Sequence, residues 1–144
     1  MGMFGAIDAA ASGMTAERLR LDVIANNLAN VNSTRTAEGG PYRRQMAVFA
    51  PRSGGSTFGQ VLAASFEGGA GVRVVGIVKD SSPFKMVFDP KHPDANADGY
   101  VSMPNVNVVA EMVDMMTATR AYEANVTAVN AAKGMATKAL EIGR

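Results

Sequence analysis

The sequence predicts an α+β fold: two long terminal α-helices packed as a coiled-coil-like pair, with a small β-rich module between them. Two observations carry this. Apolar residues recur at helical spacing over both ends of the chain. Between them that pattern gives way to short β-prone runs broken by glycine and proline. The expected division is residues 1–36 for the first helix and its following loop, 37–104 for the β-rich module and 105–144 for the second helix.

From Phe4 to about Val31 there is no proline, and the 3-4 spacing selects Phe4, Ile7, Ala11, Met14, Arg18, Leu21, Ala25 and Leu28, apolar apart from Arg18. A second stripe of Leu21, Ile24, Leu28 and Val31 broadens the apolar face in the latter half. Such a helix spans about 40 Å. Asn26, Asn27, Asn30 and Asn32 crowd its end, where asparagine's local hydrogen bonding and tolerance of left-handed geometry help stop a helix.

From Ala37 to Pro104 the runs Tyr42–Ala50, Val72–Lys79 and Phe84–Phe88 read as strands, with Tyr100-Val101 entering another. Phe58–Phe66 is ambiguous. Gly39-Gly40-Pro41, Gly54-Gly55, Gly68-Gly69 and Gly71 punctuate the segment. Strands so few and short make a small module and not an enzyme-sized sheet.

Helical order returns from about Val106 to Ile142. The spacing selects Val108, Met112, Met115, Thr119, Tyr122, Val126, Val129, Lys133, Ala136 and Leu140, with Gly134 the weak point at about 1 kcal/mol relative to Ala. An antiparallel pair buries one face of each helix. The broad stripe on the first helix and off-seam Val109, Val113 and Met116 on the second exceed what one pair hides, which points to neighbouring subunits. The chain has 10 methionines, and the cluster Met103, Met112, Met115, Met116 and Met135 supplies side chains able to pack against differing neighbours. The assembly residues expected are therefore Ile7, Met14, Leu21, Ile24, Leu28 and Val31 on the first helix. On the second they are Val108, Met112, Met115, Tyr122, Val126, Val129 and Leu140.

Composition limits the function classes. The 144 residues are 47% hydrophobic and only 19% charged, too apolar for a disordered chain. With a net charge of +1, the arginines at 35, 43, 44 and 52 form no phosphate-neutralising stripe, so no nucleic-acid partner is expected. Without cysteine there are neither disulfides nor thiolate metal sites. No apolar run reaches the roughly 18 residues of a membrane span. Asp8 interrupts the N-terminal apolar stretch and the first basic residue is Arg18, unlike a cleaved secretory signal.

No catalytic constellation emerges, and no cofactor or metal is called for. His92 lies between Pro90 and Pro93 without a nucleophile elbow or paired metal ligands. Asp94-Ala95-Asn96-Ala97-Asp98-Gly99 matches half of an EF-hand loop, but Asn105 stands where the closing Glu belongs. Asx-type turns explain the same residues. Gly68-Gly69-Ala70-Gly71 lacks the Lys-Ser/Thr pair of a phosphate cradle.

Ser12-Gly13-Met14-Thr15-Ala16-Glu17-Arg18, continuing through Leu21-Asp22-Val23-Ile24-Ala25-Asn26-Asn27-Leu28-Ala29-Asn30-Val31-Asn32, resembles the signature of flagellar basal-body rod and hook proteins. Glu123-Ala124-Asn125, with Asn130 and Lys133, resembles their shared terminal helix. The middle, from Asp89-Pro90-Lys91-His92-Pro93 to Met103-Pro104-Asn105-Val106-Asn107, resembles a short proximal member of that family. The resemblance implies a non-enzymatic subunit exported through the flagellar type III apparatus without a cleaved signal. It further implies helical assembly with copies of itself and the rod proteins FlgB, FlgF and FlgG, forming a drive shaft across the periplasm that carries motor torque to the hook. FlgB, the other short proximal rod protein, is the nearest alternative. A free-standing coiled-coil adaptor with a β insert is another, and would form a discrete soluble oligomer.

Overall fold

The computed structural model describes residues 3–52 and 71–143. In chain order these form α1 (Met3–Ala29), β1 (Gln45–Pro51), β2 (Val72–Lys79), β3 (Lys85–Phe88), β4 (Tyr100–Met103) and α2 (Val108–Ile142). The ambiguous stretch 58–66 and the glycine pairs at 54–55 and 68–69 lie outside the described residues.

The helices pack together as an antiparallel pair, with Gly13 of α1 against Asn125 of α2 and Asn27 of α1 against Glu111 of α2. α1 ends where its asparagines take over the free carbonyls. The Asn30 amide N–H donates to the Asn26 carbonyl at 3.1 Å, and the Asn30 side chain adds a second bond to the same oxygen at 2.9 Å. α2 begins two residues later than Val106, because the Asn107 side chain accepts from the backbone of Val109 and Ala110 and caps the helix.

The seam inside the subunit is rotated from the expected one. The most buried helix residues are Ala10, Ser12, Ala16, Val23, Ile24 and Asn27 on α1, and Glu111, Ala118 and Ala132 on α2. The 3-4 reading followed the bulky apolar side chains. Four of the buried positions are alanines, and small side chains allow close helix contact and more dispersion contacts. Gly13 is part of this: a Cβ there would lie 2.9 Å from the Asn125 side-chain nitrogen.

β1 and β2 pair antiparallel, with a register shift between Val48 and Phe49, and this ribbon packs on α1. β3 and β4 pair antiparallel as a separate two-stranded sheet. The first strand starts at Gln45 and not at Tyr42. Tyr42 turns its side chain inward, and its hydroxyl donates to the Asn27 side-chain oxygen at 2.9 Å. Polar satisfaction here overrides strand propensity.

Where β2 begins, Gly71 has φ +93, and a Cβ on it would meet Ser12 Oγ at 2.3 Å and the Ala9 Cα at 3.3 Å. Ser12 Oγ donates to the Ala9 carbonyl and accepts from the Val72 amide at 3.0 Å, so it pins the ribbon to α1. Gly71→Ala is expected to cost about 2–4 kcal/mol through left-handed strain plus steric displacement of Ser12. Urea denaturation followed by circular dichroism reads this, and a loss under half a kilocalorie would mean that the ribbon's base moves away freely.

Candidate assembly surface

The part of the molecule with the densest chemistry is a polar lock where α1, β1 and α2 meet. Glu111 is 0% exposed and Asn27 1%. Asn27 fulfils every hydrogen-bonding valence of its amide. Its nitrogen donates to the Gln45 carbonyl at 2.8 Å and to Glu111 Oε2 at 3.0 Å. Its oxygen accepts from the Gln45 amide and from the Tyr42 hydroxyl, both at 2.9 Å. One side chain on a helix thereby stands in for a strand neighbour at the start of β1.

Arg44 closes the lock from the other side. Its Nε donates to Glu111 Oε1, and its Nη atoms lie 3.4 Å from Asp114 and 3.6 Å from Asp80. Its backbone amide donates to the Asn105 side-chain oxygen at 2.8 Å. Burial alone would lower the Arg44 pKa, but the bond to Glu111 and the charges of Glu111, Asp114 and Asp80 outweigh it and hold the guanidinium above its ordinary value. Burial, then the Glu111 charge, pushes the Tyr42 phenol up. Hydrogen bonds from the Ser82 hydroxyl and amide, with Arg44 nearby, hold the Asp80 carboxyl down. Arg20 lies 3.6 Å from Asp114 and 3.7 Å from Glu17, which extends the network along α1.

Asn105 gathers the second sheet into the same centre, its amide nitrogen donating to the carbonyls of Asp80 and Ser82. Pro104 beside it is buried. The loop between β3 and β4 attaches separately. Asp94 accepts from the Thr34 hydroxyl at 2.9 Å and pairs with Arg35. These two hydrogen bonds, with the Arg35 charge, lower its pKa. Asn96 accepts from the Asp98 and Tyr100 amides, and His92 Nδ1 from the Asp94 amide, so the expected Asx-type turns are present.

The residues expected to mediate assembly fall into three groups. Ile24 is buried between the helices and the ribbon. Ile7, Met14, Leu21, Leu28 and Val31 on the N-terminal side are half-buried, as are Met115, Tyr122, Val126 and Val129 on α2. Val108, Met112 and Leu140 are exposed. Beside them the off-seam Val109, Val113 and Met116 also face outward, Val109 at 70% exposure. Among the motif asparagines, Asn27 holds the lock and Asn125 packs on Gly13, while Asn26 donates to the Tyr42 hydroxyl. Asn32, Glu123 and Asn130 face solvent.

Sequence reading missed Tyr42, Arg44, Glu111 and Asp114 as a unit. An acidic residue in a helix's first turn, as Glu111 is, ordinarily signals only the helix dipole. Its full burial depends on Arg44, distant in sequence, arriving beside it.

A helical pair that leaves a large apolar face turned outward defines a subunit made to be packed into an assembly. Comparison with known proteins agrees. Residues 7–35 match the family described as flagella basal body rod protein, and residues 97–142 match the flagellar basal body rod FlgEFG protein C-terminal family. The chain is 51% identical to the flagellar basal-body rod protein FlgC of Borreliella burgdorferi over 149 residues, covering 99% of this chain and 98% of that protein. It is 48% identical to the Bacillus subtilis FlgC over 152 residues and 42% identical to that of Escherichia coli O157:H7 over 144, each covering 100% of both chains. The chain belongs to the FlgC family of flagellar basal-body rod proteins.

Proposed function

We propose that this chain, a structural subunit of the flagellar basal-body rod, works as a proximal part of a torque-bearing shaft and carries out no catalysis. Residues 1–36 and 105–144 supply the axial packing elements, and 37–104 supply lateral contacts. Its partners are other copies of itself and the rod proteins FlgB, FlgF and FlgG, met after export through the flagellar apparatus, in a rod that crosses the periplasm. No helix among the described residues is long and apolar enough to cross a membrane.

The observation that carries the reading is the outward face of α2, where Val109, Met112, Val113 and Met116 stand exposed at i, i+3, i+4, i+7 spacing. A face of this kind on a lone subunit costs solubility, and packing against neighbours removes it from water at about 25 cal/mol per Å². Torque transfer needs closely packed contacts of low compressibility, which helix faces supply. The apolar positions exposed or half-buried in the subunit are available to neighbours, whereas Ile24 supports the interface from behind.

Met112→Asp separates assembly from folding, since Met112 is 55% exposed. In a strain lacking the native chain, the variant should be stable and exported but leave cells non-motile, with basal bodies that lack a complete rod. Wild-type swimming and normal rods with this variant would overturn the assignment of the α2 face. Full motility in cells that lack the chain altogether would overturn the rod role itself.

A further inference from the structure

We propose that residues 85–103 form a movable arm held in place by one latch, the Asp94 carboxylate on Thr34 and Arg35. Strands β3 and β4 pair only with each other, and neither packs on a helix or on the β1–β2 ribbon. The loop between them is bonded inward, the Asp89 amide donating to the Gly99 carbonyl and the Asn96 amide to the Tyr100 carbonyl, both at 2.9 Å. Phe88 meets Tyr100 edge-on with ring centroids 5.2 Å apart, and Val101 is buried. A piece held together from within moves as a unit.

Among the described residues, the only hydrogen bonds from 85–103 to the rest of the chain are those Asp94 accepts. They come from the Thr34 hydroxyl at 2.9 Å and from the Arg35 guanidinium. The root is clasped separately, just outside the arm. Asn105 and Arg43 both donate to the carbonyls of Asp80 and Ser82, which ties the chain entering β3 to the chain leaving β4. Arg43 also lies 4.3 Å over the Phe84 ring. A clasp at the root and a latch at the loop leave a single pivot between them.

The Arg35 side chain is 76% exposed, and an ion pair so open to water holds weakly. The latch therefore opens while the clasp stays closed. Beside the arm runs a groove of about 530 Å³, with Val87 and Met103 on the arm's side and Val31, Val106 and Val108 beside the helix ends. Turning into this groove removes apolar side chains of both walls from water. The arm belongs to the module that supplies lateral contacts in the rod reading above, and its motion lets those contacts meet neighbours at unlike angles without disturbing the helices.

The test uses the purified chain and needs no rod. Having no native cysteine, the chain takes spin labels only where cysteines are introduced, and Val75, Ala97 and Met116 are exposed. Electron–electron double resonance on Val75→Cys/Ala97→Cys should give one dominant ribbon-to-arm distance. Adding Asp94→Ala should broaden that distribution about twofold or more, while Val75→Cys/Met116→Cys keeps its distance in both backgrounds. Thr34→Val with Arg35→Ala empties the latch from the other side and should reproduce the broadening, with the circular dichroism spectrum unchanged throughout. An unaltered ribbon-to-arm distance in either latch variant would overturn the proposal. A distribution already broad with Asp94 in place would overturn the latch, and broadening of both label pairs would show a module that loosens as a whole and has no arm.

Discussion

Asn27→Asp is expected to destabilise the subunit by on the order of 4 kcal/mol, although it changes one nitrogen to oxygen. The amide nitrogen donates to the Gln45 carbonyl at 2.8 Å and to Glu111 Oε2 at 3.0 Å. An aspartate oxygen in its place turns both contacts into repulsions between acceptors, one of them with a carboxylate that has no access to water. The subunit's likeness in size to other small domains puts its whole stability at roughly 5–15 kcal/mol, so this one atom decides a large share. Equilibrium urea denaturation followed at the helical circular dichroism band measures the loss. A shift under 1 kcal/mol would show that the centre repacks or admits water. In cells the variant should be depleted from basal bodies and motility lost, with no interface residue touched.

Glu111→Ala is the second large effect, expected at about 3 kcal/mol. It removes the acceptor for Asn27 and for Arg44 Nε and leaves a void at a fully buried position. Arg44 keeps Asp114 and Asp80 and is partly open to solvent, which places the cost at the low end for a broken buried pair. The informative companion is Glu111→Leu with Arg44→Met. Apolar replacement of both partners should recover most of the stability, because the desolvation penalty of the charges disappears with them. If the double variant is stable yet fails to restore motility, the ion pair sets how the β module sits on the helices. If it restores both, the pair is dispensable once its polar demands are gone.

The sharing of Asn27 between three elements explains why an asparagine-rich helix end belongs in such a chain. Read along the sequence, Asn26, Asn27, Asn30 and Asn32 are helix stoppers, and Asn26 and Asn30 do bond to one another at the end of α1. Asn27 does more. Its amide supplies both a donor and acceptors where β1 starts, ties Tyr42 inward and meets Glu111 across the helix pair. Asn105 repeats the device for the second sheet, with its oxygen on the Arg44 amide and its nitrogen on the Asp80 and Ser82 carbonyls. Short polar side chains thus join pieces too small to have hydrophobic cores of their own.

Local pattern fixes the element order: a helix at each end, short strands between, and a stop at the asparagines that close α1. Those features are local, set by apolar spacing, turn residues and capping within a few positions of one another. The resemblance at both ends likewise reached the family, because the motif residues are contiguous. Which helix face lies inside is set by packing between elements far apart in the chain. Spacing finds a stripe of bulky apolar residues, but close approach rewards small ones, so Ala10, Gly13, Ala118 and Ala132 went to the seam while Val109, Met112 and Leu140 stayed out. Tertiary packing decides the lock as well. Glu111 and Arg44 are ordinary solvated charges in any local reading, and burial becomes tolerable for them only when the fold brings Asn27, Tyr42 and Asp114 to the same few ångströms.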